Sequence, residues 1–221
     1  MSFQKKTLLI VLLLLGTGFG AYRLGESPPT WIDEGMIIQL AINLAEHGVM
    51  GLQSSPENFV SGAYISTGFP LIFPLAAVFK IAGVGLLQAR IFMLFWILLL
   101  VTLSYVYVLR AYGRRAAFLA GLLLVTFAPL YGNGKNVLGE IPGLVFFILF
   151  LLFWQRMEKE GFLSKPRSLF ITGLALGLFA ATKAIFLLAL GAFLIVILWR
   201  LDLPILRNIR RSNLPKFQLR K

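Results

Sequence analysis

Residues 88–109 read QARIFMLFWILLLVTLSYVYVL, an apolar run in which Arg90 is the only charged residue. A helix over these 22 residues is about 33 Å long at 1.5 Å per residue, enough to cross a hydrocarbon core of roughly 30 Å. The whole chain has the same character: 58% of its 221 residues are hydrophobic, 14% are charged, and the mean hydropathy is +0.85. The sequence therefore predicts an integral membrane protein and excludes an ordinary soluble globule.

The composition also narrows the chemistry. The chain contains no cysteine and one histidine, His47. Disulfides, thiol nucleophiles and metal centres built from cysteine or several histidines are therefore excluded within it. The net charge of +12 first suggests nucleic-acid binding. In so apolar a chain, however, basic residues more often mark the cytoplasmic ends of membrane helices.

Other apolar runs supply further membrane spans. A single helix over residues 168–199 would be about 48 Å long, so we divide this run at Thr182 and Lys183. The run that follows Lys5 and Lys6 has two interpretations, a signal peptide or a first membrane anchor. We predict an all-α polytopic membrane protein of about six transmembrane helices, with spans at about 7–24, 88–109, 116–131, 141–154, 168–182 and 184–199.

The first exported loop, residues 25–87, contains the only long polar region, Glu26 to Ser66. Within it, apolar residues recur at helical spacing over 36–46, which favours a helix lying on the membrane surface. The run 69–84 is short and is interrupted by two prolines and Lys80. We interpret it as a re-entrant or juxtamembrane helix that does not cross the membrane.

The positions of the basic residues support this topology. If 69–84 does not cross, sixteen of the 21 Lys and Arg residues lie on the cytoplasmic side, including those of a basic cytoplasmic tail at 201–221. If it does cross, the basic clusters face outward. The positive charge thus reports orientation. We predict a multi-pass protein of the inner (cytoplasmic) membrane with both termini cytoplasmic, in contact with membrane lipid and with no nucleic-acid partner.

Three acidic residues of the exported side are candidates for chemistry. Asp33 and Glu34 stand at the start of the surface helix, and Glu140 stands at the start of the fourth span, just before Pro142. In such positions acids commonly cap helices and interact with the helix dipole. Carboxylates held near apolar surface also have raised pKa values, which suit a general base. The sequence leaves both interpretations open, and it leaves open a divalent metal bound by the three acids.

Two lysines share this side of the membrane. Lys135 lies five residues before Glu140 in the same loop, and Lys183 lies at the turn between the last two spans. Lys183 either extends its ammonium to the membrane surface as an ordinary turn residue or offers a point charge that suits a phosphate.

Five short motifs follow one another along the chain: Trp31-Ile-Asp-Glu-Gly-Met, Ser66-Thr-Gly-Phe-Pro, Gln88-Ala-Arg-Ile, Leu138-Gly-Glu-Ile-Pro and Ala181-Thr-Lys. In order and spacing they resemble the GT-C superfamily of membrane glycosyltransferases. Within it, the closest likeness is to the bacterial dolichyl-phosphate-mannose protein mannosyltransferase and aminoarabinose transferase type, over roughly residues 5–200.

The resemblance implies a glycosyltransferase that takes a sugar from a polyprenyl-phosphate donor and transfers it to an acceptor outside the cytoplasmic membrane. It places the catalytic base at Asp33, with Glu34 beside it, and a second acid at Glu140. It also implies a donor-phosphate contact at Thr182 and Lys183, and we expect Lys135 to join this substrate-binding set. The resemblance implies no particular cofactor, sugar or acceptor.

Two alternatives to an active transferase remain. Family members usually continue for many more spans, so the chain is alternatively a truncated or non-catalytic relative that binds polyprenyl lipid, or a subunit whose partner chain supplies further spans. The third hypothesis is a small transporter or flippase component. Its charges should lie in the middle of the spans, whereas the acids of the exported side fall in loops here.

Overall fold

The structure is a computed structural model that describes residues 3–56, 58–62, 65–160 and 166–200. It is mainly helical, with one small sheet. In chain order the elements are α1 (Phe3–Ala21), α2 (Ile32–His47), β1 (Gly51–Ser55), β2 (Asn58–Ser61), α3 (Phe69–Ala82), α4 (Leu86–Tyr112), α5 (Arg114–Val125), α6 (Ala128–Gly132), α7 (Glu140–Glu160), α8 (Pro166–Thr182) and α9 (Phe186–Arg200).

Two helices of the described chain are long and apolar enough to cross a membrane, Leu86–Tyr112 and Glu140–Lys159. The apolar helices Lys6–Ala21, Phe69–Ala82, Pro166–Thr182 and Phe186–Val196 are shorter. Large apolar side chains on these shorter helices are exposed, which is typical of surface that contacts lipid; examples are Leu14, Phe73, Phe170 and Leu188. The predicted helical membrane fold is thus confirmed in outline, and the number of six spans stays a prediction.

The run predicted as one span at 116–131 is divided into two helices. α5 ends at Val125, Phe127 is extended with φ −74° and ψ 102°, and α6 then begins with Pro129 in its first turn. Proline has no N–H to donate and favours the first turn of a helix over its interior. Residues in and around this break line two different cavities.

The first exported loop contains more structure than the sequence indicates. α2 begins at Ile32, earlier than the predicted surface helix. It ends at His47 and is capped by Gly48, whose φ of 71° suits glycine. β1 and β2 then form an antiparallel hairpin that the sequence analysis did not predict. The Asn43 side chain donates to the Gly51 carbonyl at 2.6 Å and joins the hairpin to α2. α3 follows at Phe69–Ala82, close to the predicted juxtamembrane helix.

The main core lies between α2, α3, α4 and α7. α4 is central, because it packs against α1, α3, α5 and α7, while α7 packs against α8 and α8 against α9. Buried residues of all four core helices meet in one apolar cluster that includes Leu40, Leu75, Met93, Ile97 and Val145. Removing one large apolar side chain from water stabilises the folded state by roughly 1.5–3 kcal/mol. This core holds the start of α2 against the starts of α4 and α7, where the candidate site lies.

Candidate active site

A buried ion pair connects the helices at this end of the molecule. The Arg90 Nη2 atom lies 3.0 Å from Glu34 Oε2, and Arg90 Nε donates to Glu34 Oε1 at 3.3 Å. Both side chains are 0% exposed. Glu34 Oε1 also accepts the Val137 backbone N–H at 3.1 Å. A buried charge pair is stable only when its remaining hydrogen-bonding atoms also find partners, and most of these atoms do.

Arg90 extends this network to two further segments. Its Nη1 donates to the Leu24 carbonyl at 3.2 Å, just beyond α1, and its Nη2 donates to Asn136 Oδ1 at 3.3 Å in the loop before α7. One guanidinium on α4 therefore fixes α2, the end of α1 and the 133–139 loop. This network sets the position of Asp33, which precedes Glu34, and of Glu140, which ends the loop.

A second set of contacts is made by backbone atoms. The Gly68 N–H donates to the Thr182 carbonyl at 2.9 Å, and the Ala184 N–H donates to the Ser66 carbonyl at 2.7 Å, so that 66–68 and 182–184 pair like antiparallel strands. A Cβ at position 68 would overlap the Ala181 carbonyl oxygen. Glycine is therefore required at position 68 for this close approach. The pairing holds Lys183 beside the loop that leads to α7.

These segments enclose a cavity of about 470 Å³. Three of the predicted site residues, Asp33, Glu140 and Lys183, line it. Most of the remaining lining is apolar, and a few polar residues interrupt it. An apolar cavity of this size with a few convergent polar groups is typical of small-ligand sites. Its other lining residues include Trp31, Leu100, Phe127, Leu130, Asn133, Asn136, Leu138 and Leu144.

The three charged residues of the cavity differ in their bonding. The Lys183 ammonium forms an ion pair with Glu140, and the side chains are 18% and 48% exposed, respectively. In the part of the chain that the structure describes, the exposed Asp33 carboxylate has no hydrogen bond or ion pair. Asp33 is therefore available to accept a proton or a hydrogen bond from a ligand, while Lys183 is held ready by an acid.

Three predicted residues do not line this cavity: Glu34, Thr182 and Lys135. Glu34 is enclosed by Arg90 and Val137, so it cannot contact a ligand in the cavity without breaking a buried ion pair. Thr182 is 0% exposed, and its hydroxyl donates to the Leu178 carbonyl at 2.6 Å, as threonines in helices often do. The expected phosphate contact of the Thr182 hydroxyl differs from this arrangement.

Lys135 lies in a different place from Lys183. It lines a second cavity of about 360 Å³, and its Nζ donates to the Tyr22 carbonyl at 2.8 Å. Burial, and secondly the nearby Arg90 guanidinium, lower the pKa of Lys135. Lys135, which we expect in the substrate-binding set, thus lines a different cavity from Lys183.

Two carboxylates of the cavity could contribute to a metal site, which the sequence left open. Among the described residues no group of three or more His, Cys, Asp or Glu is placed to hold a metal ion. Asp33 and Glu140 line the cavity, but Glu140 already pairs with Lys183 and Glu34 with Arg90. The arrangement of the three acids therefore fits a shared divalent cation poorly.

Arg90 and Asn136 belong to the site, although neither is among the predicted site residues. Arg90 lies in an otherwise apolar run, and an isolated ionisable residue in such a run is a functional candidate with a nearby partner. That rule would have selected Arg90, although not Glu34 as its partner. Nothing in the sequence distinguishes Asn136 from the other polar residues of its loop.

The family model for dolichyl-phosphate-mannose-protein mannosyltransferase matches residues 54–213, which is most of the chain and includes Arg90, Glu140 and Lys183. No curated protein and no solved structure matches the chain.

Proposed function

Because the chain belongs to the dolichyl-phosphate-mannose-protein mannosyltransferase family, we propose that it is a GT-C-type membrane glycosyltransferase of the cell envelope that transfers a sugar from a polyprenyl-phosphate donor. The acceptor meets the donor at the exported face of the cytoplasmic membrane. In this proposal six spans cross the membrane and both termini are cytoplasmic. The conclusion is supported most directly by one observation: Asp33, Glu140 and Lys183 line the same cavity.

The proposed topology agrees with the way the helices meet. The residues that follow α1, those that begin α4 and α7, and those that follow α8 all contribute to the candidate site. Helices that cross alternately in opposite directions bring these ends to one face. The proposed orientation puts that face outside, since the basic clusters lie at the opposite helix ends.

Lys183 is the proposed phosphate-binding group. A lysine ammonium is a compact point charge, which suits a phosphate monoester or diester. Its partner Glu140 holds the ammonium at the cavity when no donor is present. When the donor binds, its phosphate competes with Glu140 for Lys183. As the sugar leaves, negative charge builds up on the phosphate, and a fixed cation stabilises that charge.

Asp33 is the proposed catalytic base. It accepts the proton of the acceptor hydroxyl or amine while the acceptor atom forms a bond to the anomeric carbon. The bond from that carbon to the donor phosphate oxygen breaks, and polyprenyl phosphate leaves with the electron pair. Direct displacement inverts the configuration at the anomeric carbon. A general base of this kind contributes about 10²–10⁴ to the rate.

The other predicted residues act indirectly in this proposal. Glu34 and Arg90 are positioning residues, because they hold α2 and the loop before α7 in place around Asp33 and Glu140. Thr182 positions Lys183 through its backbone carbonyl, which accepts from Gly68. The apolar lining of the cavity, including Leu100 and Phe127, suits the first isoprene units of the donor.

The test is transfer of label from radiolabelled polyprenyl-phosphate sugars in membranes that contain or lack this chain. The proposal expects labelled product only in membranes with the chain, and a strong decrease in product for Asp33→Asn. Binding of the donor without any transfer would favour a non-catalytic relative. Reporter fusions at Ser61, Gly113 and Gly132 test the topology, which requires exported, cytoplasmic and exported positions, respectively.

A further inference from the structure

The break between α5 and α6 produces a wall between two cavities. Phe127, Pro129 and Leu130 line the cavity that contains Asp33 and Lys183. Thr126, Ala128 and Tyr131 line the second cavity, which contains Lys135. The residues of this short segment are thus divided between the two cavities.

The second cavity has an amphiphilic lining. Phe19, at the end of α1, provides exposed apolar surface, and Lys135 provides one cationic group. Lys135 is 4% exposed, and its one hydrogen bond is to the Tyr22 carbonyl. An ammonium has three donors, so two of them have no partner among the described residues.

The charges around Lys135 do not balance. Its neighbour Arg90 is neutralised by Glu34, and Glu140 is paired with Lys183. Within the described part of the chain, no carboxylate forms an ion pair with Lys135. An uncompensated buried charge destabilises a protein, and a bound anion removes that penalty. The burial of Lys135, its lack of an acidic partner and the cavity beside it are independent observations that indicate the same class of ligand.

We propose that this second cavity binds the phosphate of a lipid, with Lys135 on the phosphate and the lipid chain along the exposed apolar surface at the end of α1. The site is separate from the one that contains Asp33, Glu140 and Lys183. The chain therefore binds two lipid phosphates at the same time, one on each side of α6. This inference rests on the proposed function for the first of the two lipid phosphates, the one at Lys183, and for the choice of a polyprenyl lipid as one probe.

Native mass spectrometry of the detergent-purified chain counts bound lipids directly. The probes are undecaprenyl phosphate, dioleoyl phosphatidic acid and inorganic phosphate. We expect two bound molecules of a lipid phosphate per wild-type chain, and one each for Lys135→Met and for the matched control Lys183→Met. The lipid that the wild-type chain retains and Lys135→Met loses identifies the source of the phosphate. If Lys135→Met and wild type bind the same number of lipid phosphate molecules, the proposal is overturned. It is also overturned if neither binds a lipid phosphate and both retain inorganic phosphate equally.

A stability measurement separates a binding role from a structural one. If Lys135 is an unpaired buried charge that a bound anion compensates, Lys135→Met raises the apparent midpoint of thermal unfolding without lipid by a few degrees. The same change makes the increase caused by lipid smaller than in wild type, because one of the two sites is lost. A lower midpoint for Lys135→Met, with the lipid response intact, contradicts the proposal. Neither measurement depends on sugar transfer. A failed transfer assay together with these results would reject the transferase and keep the second site.

Discussion

Arg90 and Glu34 lie 56 positions apart in the sequence and form a fully buried ion pair, with Nη2 3.0 Å from Oε2. The pair joins α4 to the first turn of α2, and the same guanidinium reaches the loop before α7 through Asn136. It therefore determines where the neighbouring residue Asp33 lies relative to Glu140 and Lys183. Stability and catalysis should separate at these adjacent acids: Glu34 for the fold, Asp33 for the reaction.

Removing one member of the buried pair should destabilise the protein. Glu34→Gln leaves the Arg90 charge uncompensated, and breaking such a pair costs about 3–5 kcal/mol. Thermal unfolding of the purified chain in detergent measures the loss. Glu46→Gln is a suitable control, since Glu46 is exposed and its change should stay within about 0.5 kcal/mol.

The double variant Glu34→Leu with Arg90→Met tests the same pair in another way. Because it leaves no buried charge, it should be more stable than either single variant. A double variant whose loss equals the sum of the two single losses would show that the charges do not interact as the structure indicates.

Gly68 should be intolerant of even one added methyl group. In Gly68→Ala the new Cβ meets the Ala181 carbonyl oxygen, so the pairing of 66–68 with 182–184 must open. Overpacking of this kind costs typically about 1–3 kcal/mol, and limited proteolysis should cleave the variant faster. Gly173→Ala is the control, because within the described structure nothing lies within 4 Å of a Cβ there. Equal protease resistance of the two variants would contradict the pairing.

Lys183 should control donor affinity. Lys183→Met removes the proposed charge-assisted contact to the phosphate, and hydrogen bonds to charged groups contribute about 1.5–3 kcal/mol. We therefore expect the donor KM to rise between about tenfold and a hundredfold. Transfer rates measured over a range of donor concentrations test this. Lys80→Met, which changes an exposed lysine on α3, should leave KM unchanged; an equal effect of both variants would point to general surface charge.

The contribution of Lys135 to the stability of the protein should increase with pH in the alkaline range. Burial, and secondly Arg90, lower the pKa of Lys135 below its ordinary value of 10.5. The unfolded chain therefore binds more protons at this residue as pH approaches 10.5 from below, and the linkage relation makes the folded state gain stability there. Unfolding midpoints of wild type and Lys135→Met across this range check the sign. The rise should be smaller in the variant, and an identical pH dependence would contradict it.

The sequence predicted the features that depend on local pattern. The run 88–109 and the helix starts near Glu140 and Pro166 follow from hydropathy and its interruptions, and the structure has helices there. The motifs around Asp33, Glu140 and Lys183 identified the residues that line one cavity. The helix predictions succeeded because apolar periodicity is a local property. The roles of Asp33, Glu140 and Lys183, which the family resemblance implies, stay predictions.

Contacts between distant segments could not be predicted in this way. The Arg90 to Glu34 pair and the pairing of 66–68 with 182–184 depend on how the helices pack, which no spacing in the sequence encodes. The division of 116–131 had a local indication in Pro129, but the run was apolar enough to suggest one helix. Lys135 and Glu140 share a loop in the sequence, but they line different cavities.

We propose that Asp33 is the catalytic base of a transfer from a polyprenyl-phosphate sugar, and the Asp33→Asn variant decides this. Single-turnover transfer of radiolabelled sugar is measured for wild type and for Asp33→Asn at matched expression, with unfolding midpoints recorded for both. We expect a rate about 10²–10⁴ lower for Asp33→Asn, with an unchanged midpoint, since no described residue bonds to this carboxylate. Transfer by Asp33→Asn at the wild-type rate would contradict it.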